Sequence, residues 1–191
     1  MILTTLRAMI AGVTRTLVAP RHGAAVVLNA GDPAPAFTLL GPNGEIYTLA
    51  DFLDRRQAVV LAWFPKAFTP GCTAQCKSAA AMAAELEAFN VRYVAASVDR
   101  PEVNGKFARK LGARFPIVSD PDGTAARAYG VLRASGFAAR WTFYIGTDGR
   151  ILAVDRHVTP ATSGQTVAAR LAELGIPRHD PARSLSHDDA P

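Results

Sequence analysis

Residues 58–64 read Ala-Val-Val-Leu-Ala-Trp-Phe, a run with no polar side chain to offer to water. Seven apolar residues are too few to cross a membrane, and a run this short bounded by polar residues is a strand covered on both faces. The chain must therefore supply helices to either side of a sheet. Val91–Val98 reads as a second buried strand, and residues 72–89 between the two carry Ala, Met and Leu at helical period. Together they predict a β-α-β unit.

The remaining pattern extends that unit. Ala36–Leu40 and Glu45–Leu49 read as short strands around the turn Gly41-Pro42-Asn43-Gly44. Asp99-Arg100-Pro101-Glu102 opens a helix with proline near its first turn, ending around Gly112. A strand at Phe115–Ser119, a short helix to Tyr129, a hairpin of Thr142–Ile145 with Ile151–Val154, and a helix from Pro160 to Leu174 follow. The expected fold class is α/β, a mixed central sheet flanked by helices.

In 191 residues one domain is the expectation, assigned here to residues 31–176. Ile2, Leu6, Met9, Ile10, Val13 and Leu17 fall on one helical face with Arg7 and Arg15 off it, so residues 1–30 are expected to form an amphipathic helix and a linker. Such a cationic helix suits weak membrane-surface contact over residues 1–20, or docking on its own domain or a partner subunit. Residues 177–191, rich in Pro, Ser, His and Asp, are expected to form a disordered tail. The formal charge of +5 owes much to Arg7, Arg15 and Arg21. No Lys/Arg stripe interleaved with aromatics suggests nucleic-acid binding. The charge order at the N-terminus does not match an export signal, so a cytoplasmic location is expected.

The two cysteines lie in one short segment, which points to active thiols rather than a disulfide framework. Trp63-Phe64-Pro65-Lys66-Ala67-Phe68-Thr69-Pro70-Gly71-Cys72 leaves a buried strand, turns, and enters a helix with a cysteine in its first turn. Unpaired N–H groups and the positive end of the helix dipole favour a thiolate there. Peroxide attack also needs donors for the charge developing on both oxygens and shelter from water. Thr69 can supply a hydroxyl, Pro65 a shield without a competing N–H, and Arg140, just before the strand at 142–145, a guanidinium for thiolate and peroxide together. Trp63, Phe68 and Trp141 are the expected walls of the substrate pocket.

Pro65-x-x-x-Thr69-x-x-Cys72 resembles the active-site signature of the peroxiredoxins, and Thr69-Pro70-Gly71-Cys72 is similar to their bacterioferritin-comigratory, PrxQ-like subgroup. The likeness runs through Ser97-Val98-Asp99, residues 115–123, residues 128–131 and Arg140-x-Thr142-Phe143, spanning roughly residues 31 to 174. It implies a thioredoxin-like fold, reduction of hydrogen peroxide and organic hydroperoxides, no cofactor or metal, and a thioredoxin- or glutaredoxin-like reductant. Cys72 corresponds to the peroxidatic cysteine, Thr69 and Pro65 to its pocket partners, and Arg140 to the activating arginine.

One departure stands out. The subgroup usually places four residues between its helical cysteines, whereas Thr73, Ala74 and Gln75 alone separate Cys72 from Cys76. Residues at i and i+4 on an intact helix have Cβ atoms about 5–6 Å apart, beyond the roughly 3.5–4.5 Å of a disulfide. A resolving role for Cys76 therefore requires local unwinding; otherwise Cys76 is a small buried hydrophobe and an outside thiol resolves Cys72. Two rivals remain. A thioredoxin-type dithiol site would have two intervening residues, and a copper chaperone of this fold would use both cysteines with a histidine where Arg140 stands.

Overall fold

The computed structural model describes residues 26–178. The helix and membrane contact expected at 1–20, and the chain from 179 onward, lie outside the described residues. Seven strands, β1 (Thr38–Leu40), β2 (Ile46–Thr48), β3 (Ala58–Trp63), β4 (Val91–Ser97), β5 (Ile117–Ser119), β6 (Thr142–Ile145) and β7 (Ile151–Asp155), form one sheet in the order β2-β1-β5-β4-β3-β6-β7. Helices α1 (Leu49–Asp54), α2 (Pro70–Ala81), α3 (Ala83–Glu87), α4 (Pro101–Leu111), α5 (Thr124–Ala128) and α6 (Ser163–Glu173) accompany it, with a 3-10 turn at Pro160–Thr162.

β3 is the hub, parallel to β4 on one side and antiparallel to β6 on the other, with all six residues buried. Strand alternation divides its neighbours between two cores. Val59, Leu61 and Trp63 join Phe37, Tyr129 and Phe143 on one face. Ala58, Val60, Ala62 and the following Phe64 join Cys72, Cys76, Phe107 and Leu171 on the other. Which face carries the cysteines decides which aromatic residues can approach them.

Several boundaries differ from the sequence expectation by a residue or more, and the following have a local cause. The second strand ends at Thr48 because Thr48 and Asp51 form a reciprocal capping box that starts α1. The long helix expected over 72–89 starts two residues earlier, at Pro70, and breaks at Met82 (φ −101°, ψ 10°) into α2 and α3. The expected linker and tail are partly tied down. Arg156 Nη2 donates to Leu28 O of the linker at 2.6 Å, and just beyond it Gly31 N donates to Ile151 O and Ile151 N to Asp32 O, at 2.8 and 2.9 Å. Asn90 N donates to Pro177 O at 2.7 Å, and the Arg178 guanidinium lies 4.5 Å from the Phe89 ring centroid.

Candidate active site

The loop 65–69 leaves the end of β3 and is anchored by a buried polar chain. Ala67 N donates to Asp99 Oδ2 at 2.8 Å, and Ser97 Oγ donates to the same oxygen at 2.9 Å. Asn104, fully buried in α4, donates through Nδ2 to Ser97 Oγ (3.0 Å), Val118 O (2.9 Å) and Ser119 Oγ (2.8 Å). β4, α4 and β5 thereby fix the loop from below. Phe68 then takes a left-handed conformation (φ 66°), a strained choice for an aromatic residue, and its ring packs on Phe107 with centroids 5.1 Å apart.

Thr69, extended at φ −74° and ψ 152°, is the N-cap of α2, and Pro70 takes the first helical position without an N–H to satisfy. Cys72 follows in the first turn and is 1% exposed. Arg140 reaches it across 68 residues of sequence: Nη2 donates to Sγ at 3.3 Å. A guanidinium thus meets a buried sulfur at the N-terminal end of α2, where the helix presents its unpaired N–H groups. Gly71 makes room for this contact, since a Cβ there would lie 3.1 Å from Arg140 Nη2.

Arg140 is aimed by Gln75. Its Nη1 donates to Gln75 Oε1, Gln75 Nε2 donates to Trp63 O at 3.4 Å, and Gln75 O accepts from Ser163 Oγ at 3.1 Å. A buried amide thus links α2, β3, α6 and the arginine. The sequence reading missed Gln75, although its position three residues after Cys72 puts it on the cysteine face of the helix, where a polar side chain must find a partner. Asp99, which closes the Ser97-Val98-Asp99 motif, is the loop anchor.

Cys76 lies one turn beyond Cys72, fully buried, and both thiols are free. Burial pushes the Cys76 thiol up to about 12, the neighbouring Cys72 pushes it further the same way, and Arg140 opposes them. At that value about one molecule in 100,000 is ionised at neutral pH. Cys76 is thus a poor nucleophile while α2 stays wound.

The other expected site residues separate. Thr69 Oγ1 donates to Lys66 O at 3.0 Å. Pro65 is half-buried at the start of the loop. Trp63 does not line a pocket with Cys72: its ring lies on the opposite sheet face, 6.5 Å from Tyr129, its Nε1 has no partner among the described residues, and its carbonyl is the part that serves the site. Trp141 is half-buried against the same opposite core, flanked by the guanidiniums of Arg133 and Arg156 at 5.2 Å each. Of the three aromatic residues, Phe68 alone belongs to the cysteine side.

The chain is similar to known proteins in both sequence and fold. A family model for the AhpC/TSA family matches residues 30–154. A putative peroxiredoxin of Mycobacterium tuberculosis is 36% identical over 138 residues, covering 69% of this chain and 87% of the relative. Peroxiredoxin Bcp of Escherichia coli is 36% identical over 131 residues, covering 65% and 83%. Among solved structures, Peroxidoxin BcpB of M. tuberculosis superposes with a TM-score of 0.71 at 29% identity over 77% of this chain and 98% of the other. Peroxiredoxin Q of Xanthomonas campestris gives 0.69 at 27% over 78% and 98%. These relatives lend no support to the copper-chaperone reading, and in this chain a cation, Arg140, faces the sulfur. With a thioredoxin-like sheet, a buried helix-start cysteine and an arginine upon it, the chain belongs to the AhpC/TSA family and is a peroxiredoxin, a thiol peroxidase.

Proposed function

We propose that Cys72 is the peroxidatic residue and that it attacks as a thiolate held by Arg140; the 3.3 Å contact between Nη2 and Sγ carries this reading. The sulfur displaces on the nearer oxygen of hydrogen peroxide or an organic hydroperoxide. The S–O bond forms as the O–O bond breaks, sulfur is oxidised to the sulfenic acid, and water or the alcohol leaves once protonated. Arg140 stabilises the charge as it moves from sulfur to the departing oxygen. Thr69, at the helix entrance, turns its hydroxyl from Lys66 O to the bound peroxide, and Pro65 shields the sulfur from water. Phe68 forms the apolar side of the entrance.

Cys76 then resolves the sulfenic acid. The first turn of α2 unwinds, which relieves the burial that keeps Cys76 protonated, and its thiolate condenses with Cys72 to give a disulfide and one water. A thioredoxin- or glutaredoxin-like dithiol returns both cysteines to thiols. A reducing compartment suits that last step, and the cytoplasm is the proposed location. Stopped-flow mixing with hydrogen peroxide followed by intact-mass measurement tests the scheme: oxidation should vanish in Cys72→Ser, and the oxidised wild type should carry an intramolecular disulfide. Peroxide turnover retained by Cys72→Ser would refute the assignment.

A further inference from the structure

A groove of about 440 Å³ runs between β1, with the residues just before it, and α5. Ala36, Phe37, Leu40, Pro121, Ala125 and Ala128 give it an apolar lining. Phe37 and Ala125 belong to the core on the sheet face opposite Cys72. An apolar cavity of about 150 Å³ holds a benzene, so the groove has room for about three side chains of that bulk. The entering chain passes beside it. A Cβ on Gly130 would lie 2.1 Å from Val26 O, so the backbone at Val26 crosses the turn two residues beyond Ala128. Residues 1–25, outside the described residues, lead into that crossing, and Ile10, Val13 and Leu17 follow one another on their apolar face at spacings of three and four. Residues 18–25 can extend over up to about 27 Å, enough to bring Leu17 from the crossing back to the groove. The charges match as well. Residues 1–25 hold Arg7, Arg15 and Arg21 and no Asp or Glu, whereas among the described residues the groove is lined by Asp120 and Asp122 and by no Lys or Arg. Asp120 is buried on the amides of Ala125 and Ala126, Asp122 is exposed, and the neighbouring Arg127 donates to Asp122 O.

We propose that residues 2–17 dock as a helix on their own domain, with Ile10, Val13 and Leu17 seated in this groove and the arginines supplying the charge opposite Asp122. A lipid surface would bury the same apolar face, but residues 18–25 tether it beside the groove at a high effective concentration. Because the groove lies across the sheet from Cys72, docking leaves peroxide attack as it is. The inference is independent of the thiol-peroxidase reading.

Photocross-linking in the full chain tests the placement. A benzoylphenylalanine in place of Thr14, which borders the apolar face without belonging to it, should cross-link within one molecule to residues 36–40 or 119–128. Val13→Asp, which spoils the face, and Ala128→Trp, which fills the groove, should each cut the yield about fivefold, while stopped-flow oxidation by hydrogen peroxide stays within about twofold. The peroxide rate shows that both variants remain folded. No cross-link, a cross-link to other parts of the domain, or a yield that either variant leaves unchanged would overturn the proposal. A product of doubled mass would do the same, because the occupant would then be a second copy of the chain. So would co-sedimentation with vesicles of phosphatidylglycerol and phosphatidylcholine that abolishes the cross-link, which would make lipid the preferred occupant of the apolar face.

Discussion

Gln75 and Arg140 are joined side chain to side chain inside the protein, and this bond holds the guanidinium whose other nitrogen meets Cys72. Gln75→Ala should leave Arg140 free to swing away and Trp63 O without its donor. The expected result is a drop of about tenfold in the rate of peroxide oxidation, with a stability loss of about 1–3 kcal/mol. Stopped-flow kinetics and urea denaturation check the two effects separately. A normal oxidation rate would mean that Arg140 keeps its aim without the amide.

The anchoring of loop 65–69 gives a second expectation. Asp99→Ala removes the acceptor for Ala67 N and Ser97 Oγ. Because these bonds are to a carboxylate and partly buried, a loss of about 2–3 kcal/mol is expected, together with slower peroxide oxidation from a loosened loop. Asp99→Asn, which keeps an acceptor oxygen, should recover about half of both. Hydrogen exchange at the Ala67 amide reports the anchor directly.

Alkaline stability follows from Cys76. Its thiol is raised by burial from 9.0 to about 12, so the folded state holds the proton longer than the unfolded one. The stabilisation is complete below pH 9 and is lost as the pH rises towards 12, by at most roughly 1.4 kcal/mol per pH unit. Tyr93, Tyr129 and Tyr144, all raised by burial, add to the loss higher in the same range. Denaturation of wild type and Cys76→Ala at about pH 8 and about pH 10.5 should show a shallower decline in the variant. Parallel declines would show that Cys76 titrates freely in the folded protein.

On the proposed scheme, resolution by Cys76 should be limited by how firmly α6 holds α2. Ser163 Oγ bonds Gln75 O, between the two cysteines, and Gly164 N bonds Ser78 Oγ at 3.0 Å. Ser163→Ala should weaken the wound helix by about 1 kcal/mol and raise disulfide formation about fivefold, while leaving peroxide attack alone. Rapid quenching with an alkylating reagent, read by mass spectrometry, follows the step. If the disulfide forms no faster, the opening motion does not detach α2 from α6.

Much of this protein is written in short-range order. The apolar run of residues 58–64 demands a central strand, the proline and glycine before Cys72 start a helix at the cysteine, and the turn residues set the β6–β7 hairpin, because each depends on neighbours a few positions away. The capping box at Thr48 and Asp51 is equally local, a threonine followed three residues later by an acid. Other facts needed the sheet to close. Trp63 and Phe64 are adjacent in sequence, yet alternation sends them to opposite cores, and only the packing of α2 decides that the cysteines share the Phe64 side. Arg140 was a candidate by type. It becomes a partner of Cys72 because β6 lies antiparallel to β3, with Trp63 N bonded to Trp141 O at 2.8 Å. The depth of Cys76, which sets its reluctance to ionise, is likewise a property of the closed core and of no local spacing.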